Sequence, residues 1–312
     1  MIKNPKVSVI IPTYNRAHLI GKSINSVLSQ TYQDYEIIVV DDASTDNTKE
    51  VVEGFNNFKI RYIYYCDNRG NSVARNIGIK ASQGEFIALL DSDDEWLPEK
   101  LDRQVEVLQN ESPEVGVVYS DVLCIDENSE NMNRKLRNPK KEGYIYEDLL
   151  GGNCVGSPST LMIKKECFYR LGLFDDSLKY HEDWDMWIRI AKYYRFVFIE
   201  VPLVKYRLHS NRVSENLELT IIASNRILAK YTNELKKRRG VHSKIYFNIG
   251  NIFCHIGKTK EGQRYLLRAI SLYPFCIRYY ICVFGSLFGP KCFIYFVKIK
   301  RYSINKIINF FL

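Results

Sequence analysis

The stretch FIALLDSDDEWL, residues 86 to 97, runs from apolar side chains straight into Asp91, Asp93, Asp94 and Glu95, four carboxylates within five positions. Like charges this close repel one another unless something cationic sits among them. Two readings of these residues stand. An Asp-x-Asp at the end of a buried strand offers hard oxygen ligands of the kind that hold Mg2+ or Mn2+, with water and phosphate oxygens completing the shell. A solvated acidic loop opening the next helix is the other, because carboxylates suit helix N-termini. A second acidic pair, Glu182-Asp183 in YHEDWDMW, could deprotonate a hydroxyl or cap a helix. A third group, VKYRLHSNRVS, gathers Arg207, His209 and Arg212, of which the arginines suit phosphate and the histidine suits phosphate or metal.

The elements that must position these residues alternate over the first 120 or so positions. VSVIIPT (7–13), EIIVVDD (36–42), IRYIYYC (60–66) and EFIALLD (85–91) read as strands, and VGVVYSD (115–121) as another. Between them lie helical signals: AHLIGKSINSVLSQ, a segment with Ser44 or Thr45 as a possible cap, SVARNIGIKAS, and PEKLDRQVEVLQ with Pro98 in a first turn. Near-continuous apolar strands separated by helices imply an α/β fold with a mostly parallel sheet covered on both faces. Ligands of such sheets bind beyond the carboxyl ends of the strands. Tyr14, Asp41, Asp42, Asn68, Asp91 and Asp93 all fall there, on one rim. Further on, EDWDMWIRIAKYY (182–194) places Trp184, Trp187, Ile188 and Ala191 at helical spacing, while 126–143 is a polar excursion.

In that order, VSVIIPTYNR, VVDDASTDNT, NRGNSVARNIGIKASQGEFIALLDSDDEW and HEDWDMWIRIA resemble the family-2 glycosyltransferases of the GT-A fold, over about residues 5 to 213. The resemblance implies a Rossmann-like fold and transfer of a sugar from a nucleotide diphosphate, UDP above all, to a hydroxyl with inversion. It implies that Pro12 and Tyr14 flank the base, Tyr14 stacking on uracil, with Asn15 beside them. Asp42 accepts from the base imide, and Asn68 and Arg75 approach the nucleotide or its phosphates. Asp91 contacts ribose or donor sugar next to Ser92, Asp93 binds the Mn2+ or Mg2+, and His209 completes the metal shell or touches the diphosphate. Asp94, Trp184 and Arg207 belong to the acceptor or donor-sugar side, Asp94 meeting the sugar or supporting the site from behind; an exposed tryptophan would offer a sugar a stacking face, with core packing the reading for at least one of Trp184 and Trp187. Asp183 is the base, with Glu182 orienting the acceptor. A Q-x-x-R-W signature of processive synthases is absent, so one or a few sugars are transferred, to a glycan or lipid-linked glycan of the cell surface. A sugar nucleotidyltransferase shares the layout but would want a glycine run near the first strand, and IPTYNRAHLIG has none. A non-catalytic scaffold would have no need of both acidic pairs.

Around this catalytic part, expected at 1–213, the composition is that of a globular protein, 46% hydrophobic and 26% charged. Eight scattered cysteines without a C-x-x-C pair, an opening unlike a secretory signal, and no run of about 18 apolar residues imply a cytoplasmic protein with reduced thiols. Residues 214–274 read as a helical extension. Within it Tyr246, Ile249, Gly250, Phe253, Gly262, Leu266, Ala269 and Pro274 resemble one tetratricopeptide repeat, for which a plain helical hairpin is the alternative. The net charge of +8 belongs to the end of the chain: after Glu261 there is no acid, but Arg264, Arg268, Arg278, Lys291, Lys298, Lys300, Arg301 and Lys306 follow. With its aromatic residues, the tail 275–312 suits the inner face of an anionic membrane better than nucleic acid, for which no motif accompanies it.

Overall fold

The structure is a computed structural model, and it describes residues 4–132, 141–208, 216–290 and 293. The chain forms two compact units, residues 1–149 with 153–212, and residues 150–152 with 213–312.

The first unit is built on one eight-stranded sheet. Its strands are β1 (Val7–Thr13), β2 (Tyr35–Asp42), β3 (Ile60–Tyr65), β4 (Phe86–Leu89), β5 (Glu95–Trp96), β6 (Val115–Ile125), β7 (Met162–Lys164) and β8 (Arg195–Arg207), in the spatial order β3-β2-β1-β4-β7-β6-β8-β5. β1 to β4 are parallel, as is the β6–β8 pair, whereas β7 and β5 run antiparallel to their neighbours. Alternation on β1, β2 and β4 sends Val9, Ile11, Ile37, Val39 and Ala88 to one face. There they meet Ile20, Ile24 and Val27 of the helix Ala17–Leu28 and Leu101, Val105 and Leu108 of the helix Lys100–Asn110. Ile38 and Val40 go to the other face, against Ala74 of the helix Asn71–Ala81. Both faces being covered explains why the middle of each of these strands is a run of apolar residues.

The chain runs outward from β1 through β2 to β3, then returns to place β4 on the other side of β1. The reversal puts a crevice at the carboxyl ends of β1 and β4, where open α/β sheets bind their ligands. Residues 14–16 leave one strand at this point and residues 90–95 leave the other.

In the second unit, helices Arg239–His255 and Thr259–Leu272 form a hairpin turned at Gly257, φ +86°. A side chain at Gly262 would lie 2.3 Å from Cys254 Sγ and 2.8 Å from the Gly250 carbonyl oxygen, so glycine lets these backbones touch. The helix Ile277–Leu287 lays Tyr279 and Cys282 on Phe247, Cys254, Leu266 and Ala269. No helix among the described residues is long and apolar enough to cross a membrane.

Candidate active site

The rim is assembled from backbone donors and short polar side chains. Asn15, in the left-handed region at φ 51°, donates its N–H to Ser44 Oγ at 2.8 Å and accepts the Thr45 N–H on Oδ1 at 2.8 Å. The Arg16 N–H donates to Thr48 Oγ1. The turns after β1 and β2 are therefore one piece, from which Tyr14 stands 44% exposed. Asp41 is buried and occupied, accepting from the Ser44 N–H at 2.8 Å and from the Tyr62 hydroxyl at 2.6 Å. Asp42 accepts the N–H groups of Arg69 and Gly70, both at 2.7 Å, one on each oxygen. Its backbone carbonyl accepts from Asn68 Nδ2 at 3.2 Å. Gly70 has φ +93°, a backbone that few other residues adopt, and this orients its N–H toward Asp42. Each Asp42 oxygen keeps lone-pair capacity for a further donor.

Below the rim, the acidic loop after β4 is bolted down. Ser23 shares its hydroxyl proton between the carbonyls of Ser92 and Asp94, at 3.0 and 2.7 Å. Ser159 donates to Asp94 Oδ2 at 2.6 Å while accepting the Asp91 N–H at 3.0 Å. Asp94 is fully buried, and its other oxygen accepts the Arg207 N–H at 3.0 Å. Burial, then the charges of Asp93 and Asp91, push the Asp94 carboxyl well above the usual range.

Arg75, 2% exposed, is the central cation. Its Nη2 donates to Asp91 at 2.8 Å and its Nη1 to Glu182 at 2.7 Å. Burial opposes its charge, but Asp91, Glu182 and then Asp183 more than offset that and hold its protonation above the ordinary guanidinium range. One side chain thus joins the end of β4 to the start of the helix Glu182–Ala191. Asp183 Oδ1 accepts the Trp184 N–H at 2.7 Å, and Oδ2 accepts from Asn153 Nδ2 at 3.3 Å. Desolvation, then the Glu182 charge, raise the Asp183 carboxyl to about 7, against the opposing pull of Arg75. Such a group is half ionised near neutrality, where a general base is most useful. Asp93 keeps 22% of its side chain exposed and lies 3.9 Å from Arg16 Nη2, which links the acidic loop to the β1 turn.

Several sequence expectations are corrected here. Trp184 is no sugar platform: it is 5% exposed and its indole N–H donates to the Leu149 carbonyl at 2.6 Å. Arg207 faces neither phosphate nor sugar, because every guanidinium N–H has a protein acceptor. Nε donates to the Asp93 carbonyl, Nη1 to those of Asp126 and Glu127, and Nη2 to Glu95 and to Ser129 Oγ. Asp94 is consumed inside, in the supporting one of its two expected roles rather than on a sugar. Arg75, expected at the nucleotide, spends its terminal nitrogens on two carboxylates. His209 and Arg212 lie outside the described residues, and among the described residues no group of three or more His, Cys, Asp or Glu converges as a metal site. Three contributors went unread: Arg16, Ser159 and Asn153. The last two sit in GGNCVGSPST, whose small polar residues between helix and strand were their only local sign.

A Rossmann-like half-sheet with its acidic rim at the β1/β4 reversal, closed by an antiparallel strand beyond β4, is the layout of the GT-A fold. The family described as glycosyl transferase family 2 matches residues 8–172, and the chain belongs to it. The chain is 34% identical over 214 residues to the uncharacterized glycosyltransferase RP339 of Rickettsia prowazekii, covering 67% of this chain and 66% of that one. It is 34% identical over 212 residues to the UDP-Glc:alpha-D-GlcNAc-diphosphoundecaprenol beta-1,3-glucosyltransferase WfgD of Escherichia coli, covering 67% and 80%. The matched part thus spans just under two thirds of RP339, the first of these. Among solved structures, residues 1–349 of TarS from S. aureus align with TM-score 0.63 at 19% identity, over 96% of this chain and 92% of that one. At that identity the likeness speaks for the fold. The same TarS segment is also known in complex with UDP-GlcNAc.

Proposed function

We propose that the protein is an inverting glycosyltransferase that moves a hexose from a UDP-sugar to a hydroxyl of a glycan or lipid-linked glycan. The observation that carries this reading is the Arg75 bridge. It holds Asp91, at the donor rim, and Glu182, next in sequence to the near-neutral Asp183, on one guanidinium. Asp183 takes the acceptor proton as the hydroxyl oxygen bonds to the anomeric carbon, while the bond from that carbon to the diphosphate breaks and UDP departs. A single displacement needs one base on the face opposite the leaving group. Tyr14 stacks on the uracil, Pro12, Asn15 and Asn68 line the nucleotide, and Asp42 accepts from the base imide. Asp91 and the Ser92 backbone meet ribose or donor sugar.

The donor set fits a hard divalent cation. Asp93 is a part-exposed carboxylate at the rim, and Mg2+ or Mn2+ takes few protein ligands when diphosphate and water fill the rest. Asp93 and His209 would hold the ion, which when bound stabilises the charge gathering on the departing diphosphate. The WfgD donor and its lipid-diphosphate acceptor make a UDP-sugar and a lipid-linked acceptor the first to try. Thermal-shift screening of sugar nucleotides with Mn2+ tests the reading. The true donor at 100-fold excess over its Kd should stabilise the fold by about 2.7 kcal/mol. Uniform indifference to every uridine nucleotide would refute it.

A further inference from the structure

The helix Ile277–Leu287 has two apolar faces. Tyr279, Cys282, Gly285 and Ser286 face inward and are buried. On the outer side Ile277, Tyr280, Phe284 and Leu287 follow at steps of three, four and three, all exposed, with Ile277 at 74%. Phe275, 88% exposed, and Phe288 extend the stripe at its two ends. A water-facing helix in a globular protein carries its charges on that side. This stripe carries no charge, Arg278 beside it having its guanidinium over the Phe247 ring, and the adjoining sequence supplies Arg264, Arg268, Lys291, Lys298, Lys300, Arg301 and Lys306 with no acid after Glu261.

We propose that this stripe docks on an anionic lipid surface, its aromatic and aliphatic side chains entering the headgroup boundary while the flanking cations meet lipid phosphates. Large apolar side chains along one helical face, cations around them and an absence of acids are what such interfacial binding needs. An acidic protein partner would be met by cations within the contact, yet the stripe itself is uncharged. The proposal rests on the glycosyltransferase reading only for its purpose, delivery of the enzyme to a lipid-linked acceptor.

The test is flotation of the full chain with phosphatidylcholine vesicles, with and without phosphatidylglycerol. The protein should float only with the anionic vesicles, and its binding should fall about tenfold when ionic strength is raised severalfold. The triple variant Ile277→Ser, Phe284→Ser, Leu287→Ser alters only exposed positions and should lose about tenfold or more in binding. A variant carrying Lys298→Gln, Lys300→Gln and Arg301→Gln should lose the preference for anionic lipid. Melting temperature and transfer to a water-soluble acceptor stay at wild-type levels in the serine variant, so failure here is distinguishable from failure of the enzymatic assignment. Equal flotation of the serine variant, or none of the wild type, would overturn the proposal. So would a wild-type dimer in sedimentation that the serine substitutions convert to monomer, since the stripe would then be covered by a second copy.

Discussion

Replacing Asp183 by asparagine separates the catalytic role proposed for this carboxylate from what it costs the fold. Its folded protonation lies at about 7 against an ordinary value of 3.8, so ionising it in place is unfavourable. For an acid raised in the native state, the fold is favoured while the group is protonated in both states, below about pH 4. That advantage then drains away as pH climbs to about 7. At 1.36 kcal/mol per unit, the three-unit rise amounts to a ceiling of about 4 kcal/mol at neutral pH. Asp183 is partly exposed and shares its burden with Glu182, so about half of this, ~2 kcal/mol, is the expected gain for the neutral variant. In a unit of this size that is roughly 4 to 8 °C in Tm at pH 7.5. The substitution is gentle, because the asparagine oxygen still accepts the Trp184 N–H and only the longer 3.3 Å bond from Asn153 is lost. Sugar transfer should fall by about a thousandfold as the base disappears, while UDP binding persists. Calorimetric melts of both proteins from pH 4.5 to 8 give the answer. The stabilisation should be small at the acid end and grow toward pH 7; a difference flat in pH, or a less stable variant at pH 7.5, would refute the charge-burial account. Wild-type kcat/KM should in turn rise through about pH 7 as Asp183 ionises.

Removing the guanidinium at Arg75 should act in the opposite direction. Arg75→Met strands Asp91 and Glu182 without their cation, and urea unfolding at pH 7.5 should show a loss of about 3 to 5 kcal/mol, partly recovered at pH 5, with Arg75→Lys intermediate because an ammonium cannot span both acids. Tyr14 stands clear of the core, so Tyr14→Ala should leave Tm unchanged and weaken UDP roughly tenfold by titration calorimetry, the loss of about one stacking contact.

How much of this was legible depends on the sequence distance between partners. β1, β2, β4 and the first half of β6 declared themselves because strands buried on both faces are mostly apolar, a local property, and β3 because its run of Ile and Tyr favours a strand. β8 did not: Pro202 interrupts its apolar run, and only the structure reveals that Pro202 sits at a register shift, opposite Asp121, where a missing N–H is tolerated. The helical spacing of Trp184 and Trp187 was readable, but whether either ring met solvent was not. Arg75 looked like a nucleotide ligand because the acids that draw it inside are 16 and 107 positions away. Arg207 looked like a phosphate ligand because its five acceptors come from loops 78 to 114 positions distant. Types and spacings located the rim; they could not say which charges on it were already spent.

That distinction also accounts for the crowding of acids after β4. Asp91 is paired with Arg75, Glu95 with Arg207, and Asp94 with the Ser159 hydroxyl and a backbone N–H. These three carboxylates fasten the loop to the helix Asn71–Ala81, to β8 and to the turn before β7 respectively. Asp93 sits between them with its backbone carbonyl held by Arg207 and its part-exposed carboxylate 3.9 Å from Arg16 Nη2. A side chain so placed is held in position by its neighbours' bonds. Positional rigidity within a group of carboxylates is what the proposed site needs to capture a cation that arrives with a diphosphate. The clustering then reads as a division of labour: the flanking acids make the loop stiff, and in the function proposed above Asp93 is the one that meets the metal ion.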